Sequence, residues 1–151
     1  MTDNIKELLY QQCIYYVQQR MHAAEYAFKD AERASNDDTK SSAGDKYETS
    51  REMMQQEKDR NTIQLNEANK LMVALNHIST KNNSGAVETG SLVVTDNGKF
   101  YIAVSAGNLS VGGESYFAVS PASPIGLRLK GLKQGDQFEL NGKRYIVLGV
   151  L

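Results

Sequence analysis

The sequence predicts an α+β protein: an N-terminal antiparallel helical hairpin (a coiled coil), then a small, mostly antiparallel sheet domain. Three observations predict it. Residues 1–43 hold no Pro or Gly and place apolar side chains every three or four positions. A second helical pattern runs from near Asp45 to about Ile78. Beyond residue 79 the pattern changes to short alternating runs split by Asn-Gly and Gly-Gly pairs.

Thr2 or Asp3 can cap the first helix, because a short oxygen side chain accepts from the free N–H groups of the first turn. Its apolar stripe reads Ile5, Leu9, Cys13, Tyr16, Val17, Met21, Ala24, Phe28, Ala31. Gln11, Gln12, Gln18 and Gln19 are assigned to the outer face. A polar break, Ser35 to Asp45, then turns the chain, with Asp45 placed to cap the second helix. The second stripe reads Met54, Lys58, Asn61, Leu65, Ala68, Met72, Leu75. Lys58 and Asn61 in such a seam cost stability but help fix register.

Residues 80–86 read as a linker between a hairpin at 1–79 and a sheet domain at 87–151. Strands are expected at Ser91–Thr95 and Lys99–Ser105, joined at Asp96-Asn97-Gly98. Gly112-Gly113 suggests a further turn before the strand Glu114–Val119. Pro121 and Pro124 stop that strand, and Ile125–Leu132 can form one or two helical turns. Gln137–Leu140 and Arg144–Leu151 pair across Asn141-Gly142. Tyr101, Tyr116, Phe117 and Phe138 are expected in the core.

The net charge of −1 makes no general demand for nucleic acid. Residues 1–80 carry −3 (13 acids, 10 bases) and residues 81–151 carry +2 (7 bases, 5 acids). An acidic arm with a mildly basic head fits a protein partner. One cysteine, Cys13, allows no intrachain disulfide, and it lies on the apolar stripe with no nucleophile pattern around it. His22 and His77 lack metal-ligand spacing. The N-terminus lacks the pattern of a secretory signal, and no apolar run is long enough for a membrane span. A cytoplasmic monomer is expected.

Three stretches resemble the Gre family of transcription elongation factors, GreA and GreB. The first is the hairpin with acids at its turn, residues 35–48. The second is Asp45-Lys-Tyr-Glu-Thr-Ser-Arg-Glu52, where a tyrosine follows the acidic loop. The third and most specific is Val119-Ser-Pro-Ala-Ser-Pro-Ile-Gly126, with Gly135-Asp136 and a closing strand Tyr145–Val150.

The resemblance implies an FKBP-like fold for the sheet domain. It implies a bacterial RNA polymerase as partner, with indirect contact to nascent RNA. It also implies an accessory factor with no active site of its own. The hairpin would enter the polymerase's secondary channel and present Asp37, Asp38, Asp45 and Glu48 at the active centre, with Lys40, Lys46 and Tyr47 as further tip contacts. Asp38 and Asp45 would ligate metal only within that complex. No cofactor is expected on the chain alone, and Mg²⁺ would be shared with the polymerase. Docking would use Ser120, Pro121, Ser123, Pro124, Ile125, Gly126 and Arg128.

The tip departs from the family pattern, and Asp45 can stand in for the family's second carboxylate only if the loop brings it to Asp38. Where the family carries a glutamate three residues after its first aspartate, this chain has Ser41 or a neighbour. A channel-occupying regulator without cleavage activity is therefore an alternative reading. A folding helper or interaction module of the FKBP type is another.

From the residues alone, Asp37, Asp38 and Asp45 also suit ordinary turns and caps. Tyr47 suits packing on the loop, and Lys40 and Lys46 suit charge offset. The Ser-Pro-Ala-Ser-Pro-Ile-Gly segment suits a purely architectural role.

Overall fold

A computed structural model describes the backbone of residues 2–40, 44–81 and 84–151. The side chains of residues 2, 3, 35–40 and 44–50 lie outside what it describes. The chain divides into two compact units: Met1–Tyr16 with Val73–Leu151, and Val17–Met72.

Helix α1 spans Thr2–Lys40 and α2 spans Gly44–Asn76. At 1.5 Å per residue they are about 58 and 50 Å long. The expected stripes face inward. Leu9, Cys13, Val17, Ala24 and Ala31 are buried on α1, and Asn61, Ala68 and Leu75 on α2. The remaining stripe residues, such as Met21, Phe28, Lys58 and Leu65, are half-buried.

The break is shorter than the run Ser35–Asp45. The helical backbone continues through Lys40 and resumes at Gly44, one residue before the expected cap at Asp45. The reason is energetic. Asn, Asp, Thr and Lys each cost only tenths of a kcal/mol, about 0.7 at most, in a helix, and neither Pro nor Gly intervenes before Gly44.

Six strands follow: β1 Leu92–Thr95, β2 Gly98–Ile102, β3 Gly107–Val111, β4 Glu114–Val119, β5 Gln137–Leu140 and β6 Lys143–Val150. A short helix, α3 Pro124–Leu129, lies between β4 and β5. The sheet order is β3-β4-β2-β1-β6-β5. All neighbours are antiparallel except β2 and β4, which run parallel with Phe100 opposite Phe117. Together the hairpin and this sheet make the chain α+β.

Strand β3 is absent from the sequence expectation. Its Gly107-Asn-Leu-Ser-Val run offers one buried residue, Leu109, and no clear alternation. Pairing with β4 forms it, through a tight turn in which Gly112 and Gly113 both hold positive φ (59° and 83°). The β5–β6 turn repeats this geometry with Asn141 and Gly142 at 54° and 78°. Two successive positive φ angles match the twist of a hairpin, which explains Asn-Gly and Gly-Gly there.

Alternation along β2 divides the sheet's two faces. Phe100 and Ile102 join Val87, Val93, Leu129 and Val147 in the core under α3. Tyr101 points to the opposite face and is also fully buried. Phe117 corrects the core expectation: it is 46% exposed, because its neighbour on edge strand β3 is the polar Asn108, while the Phe100 ring on β2 stacks beside it at 6.1 Å.

The foot of α1 is fastened by polar side chains to main-chain carbonyls of the same unit. Lys6 Nζ donates to Leu151 O (3.2 Å), Tyr10 Oη to Leu75 O (2.9 Å) and Gln12 Nε2 to Ser110 O (2.8 Å). Gln12 is thus not a plain outer-face residue. It satisfies an acceptor on edge strand β3, which its position in the helix alone could not reveal.

Candidate functional site

Two regions carry the sequence's functional expectations: the hairpin tip and the segment around α3. At the tip, Asp37, Asp38 and Lys40 fall in the last turn of α1. Asp45, Lys46, Tyr47 and Glu48 fall at the start of α2. Their side chains lie outside the described residues, so the convergence of Asp38 and Asp45 does too. Carboxylates of this kind suit Mg²⁺, which prefers oxygen ligands. Among the described residues no group of His, Cys, Asp and Glu could hold a metal ion.

The α3 segment is fully described. Ser120, at the end of β4, starts a set of fasteners. Its Oγ accepts from Ala122 N (3.1 Å). Ser123 is the N-cap: its Oγ donates to Ser120 O (2.6 Å) and accepts from Gly126 N (3.1 Å). Pro124 occupies the first helical turn, where its missing N–H costs nothing. Gly126 is buried beneath this loop. A Cβ there would stand 2.2 Å from Ser120 O and 3.0 Å from Pro121 O, both backbone atoms. Only glycine fits, so the Ser-Pro-x-Ser-Pro-x-Gly spacing has a local steric cause.

The expected docking residues do not all face outward. Ser123 is half-buried with its hydroxyl committed, Ile125 packs against the core, and Gly126 is buried. Pro124 and Arg128 are exposed and Pro121 is half-exposed. Leu127, 62% exposed, joins them and was not singled out in the sequence. Helical spacing puts Leu127 200° around α3 from Ile125, but the helix's seat on the sheet sets which of the two faces the core.

Beside α3 lies a cleft of about 320 Å³. Val87, Ile102, Pro121 and Leu127 supply apolar walls, and Glu88 and Lys130 stand among its lining. Residues 86 and 87 close one side. Val87 N donates to Leu132 O (2.8 Å), Gly131 N donates to Val87 O (2.9 Å), and Ala86 bridges Lys133. Among the described residues no aromatic side chain lines the cleft.

The remaining candidates are structural. Cys13 is fully buried, and burial pushes its thiol from 9.0 up to about 12, which suppresses the reactive thiolate. His22 and His77 are exposed. Lys99 and Glu114 form a surface ion pair that Tyr116 Oη joins (3.2 Å). The mutual bond raises the lysine's pKa and lowers the glutamate's.

No family model and no curated protein matches the chain. A solved structure titled "Structure of the transcription factor Gfh1" aligns over 93% of this chain and 92% of its own. Identity is 17% and the TM-score is 0.35. A likeness this loose assigns neither fold nor function. No helix among the described residues is long and apolar enough to cross a membrane.

Proposed function

We propose that the chain is a Gre-type elongation factor that binds RNA polymerase. Its sheet unit docks on the polymerase, and its hairpin carries Asp37, Asp38, Asp45 and Glu48 into the secondary channel. The single observation that carries this reading is the fastened α3 loop. The Ser-Pro-Ala-Ser-Pro-Ile-Gly run is the most specific part of the family resemblance, and each of its constrained positions has a steric or capping job here.

The factor has no reaction centre of its own. Its tip acids would lend oxygen donors to a polymerase-bound Mg²⁺, which supplies the charge for phosphodiester cleavage. The polymerase is read as bacterial, and contact with nascent RNA is indirect. Pro121, Pro124, Leu127 and Arg128 form the exposed part of the docking face.

One observation favours a second reading, a channel occupant that does not stimulate cleavage: Ser41 or a neighbour stands where the family has its second tip carboxylate. The folding-helper reading has less support, because the cleft beside α3 has no aromatic lining.

Transcript cleavage by backtracked polymerase, with and without the protein, tests the proposal. Cleavage that Asp38→Ala abolishes while polymerase binding persists is the expected result. Binding without cleavage selects the channel occupant. Absence of binding overturns both.

A further inference from the structure

We propose that the sheet unit binds a single strand of nucleic acid across a row of aromatic rings on the α3 face of the sheet. Four rings form the row: Phe138 on β5, Tyr145 on β6, Phe100 on β2 and Phe117 on β4. Phe138 and Tyr145 are opposite one another in the register and stack in parallel, with centroids 4.7 Å apart and an interplanar angle of 2°. Tyr145 meets Phe100 edge-on at 6.1 Å, and Phe100 stacks on Phe117 at 6.1 Å. Phe100 belongs to the core under α3, and Phe138 and Tyr145 pack against that core, which places the row on this face.

The row runs out of the core toward solvent. Phe138 and Tyr145 are half-buried and Phe117 is exposed. The exposed Asn108 and Ser115 flank Phe117 on the same face and bring hydrogen-bonding groups beside its ring. Aromatic rings next to polar side chains suit bases, which stack by their π faces and bond by their edges.

Charge selects the occupant. Lys143 shares the face, two residues before Tyr145, with its Nζ 5.8 Å from the Tyr145 ring centroid. Among the described residues no carboxylate pairs with Lys143. The acids of the sheet unit are engaged elsewhere. Glu114 bonds Lys99, Asp96 Oδ1 accepts from Ile146 N, and Asp136 Oδ2 accepts from Lys133 N. Glu88 stands in the cleft beside α3, and Glu139, next to Phe138 in the strand, takes the opposite face. A cation beside the rings, with no acid among them, suits a strand whose phosphates carry negative charge. A proline-rich peptide also lies on aromatic rings but draws nothing from Lys143. A duplex hides its base faces from the rings. The inference does not rest on the proposed function, whose contacts lie at the hairpin tip and α3.

Fluorescence anisotropy of a labelled oligouridine of about ten nucleotides, titrated with the full chain at low salt, tests it. The expected result is saturable binding, with a duplex of equal length bound about tenfold more weakly. Phe117→Ala should weaken binding about tenfold, the loss of one stacked base. Lys143→Ala should flatten the slope of log affinity against log salt by about 0.7, the loss of one phosphate contact. The proposal is overturned by absence of saturable binding, by equal affinity for the duplex, or by displacement of the oligonucleotide by a proline-rich peptide. An affinity that Phe117→Ala leaves unchanged, or a salt slope that Lys143→Ala leaves unchanged, also overturns it. Should Phe117→Ala fail to fold, the salt slope of Lys143→Ala decides, since that side chain is exposed.

Discussion

The two units are held by different kinds of interior. In the unit that contains the sheet, Leu9, Leu75, Leu92, Val93, Tyr101, Val104, Leu129 and Val147 are each at most 1% exposed. In the Val17–Met72 unit the buried residues among those described are Val17, Ala24, Ala31, Asn61 and Ala68. Large aliphatic side chains remove much apolar area from water, at about 25 cal/mol per Å², whereas alanines remove little. Small residues let two helices approach closely, but they leave the pair with a thin reserve of hydrophobic stabilisation. Asn61 lowers it further, since its Nδ2 is buried without a partner among the described residues. The comparison teaches that one chain can combine a well-anchored head with an arm whose seam favours closeness and register over stability.

The largest test strikes the sheet unit. Gly126→Ala forces a methyl group against Ser120 O and Pro121 O, which cannot move without breaking the α3 cap. A loss of about 1–3 kcal/mol is expected in urea unfolding. A neutral result would mean that the loop yields easily, and the contrast between units would weaken.

A smaller effect of opposite sign is expected in the arm. Asn61→Leu removes the unpaired amide and adds apolar contact, so the protein should gain about 1 kcal/mol in the same assay. A loss would show that Asn61 makes a compensating interaction, and that the seam is better satisfied than its burial pattern indicates.

The last test concerns Cys13, at the foot of α1, where titration changes nothing at neutral pH and the effect is confined to alkaline solution. Burial raises its thiol from 9.0 to about 12 in the folded state. The folded protein therefore holds a proton that the unfolded chain releases. The resulting stability is fully present below pH 9 and is lost as pH rises toward 12. A Cys13→Ala variant should show a flatter decline over that window. At neutral pH a thiol reagent should label Cys13 only as fast as the sheet unit opens. Faster labelling would place the foot outside that unit's cooperative core.

Much of the fold was legible because local rules wrote it. The two stripes follow from helical period, and every one of their members is buried or half-buried on α1 or α2. The Asn141-Gly142 turn follows from the need for positive φ at both central positions. The α3 segment was legible as an element, but its division into inward and outward residues was not. Ile125 and Gly126 turn into the core while Leu127 turns out, and only the helix's seat on the sheet settles which is which.

At the tip, the sequence by itself determined which residue types stand near the turn, and the backbone refined where α1 stops. Helical period and turn chemistry act between near neighbours, so composition and spacing carry them. The tertiary structure decided the rest: strand β3, the parallel β2–β4 pair, the exposure of Phe117 and the use of Gln12 as a fastener. Each depends on which distant segments meet at a sheet edge. Gln12 and Ser110 are 98 residues apart, and no local pattern records their bond.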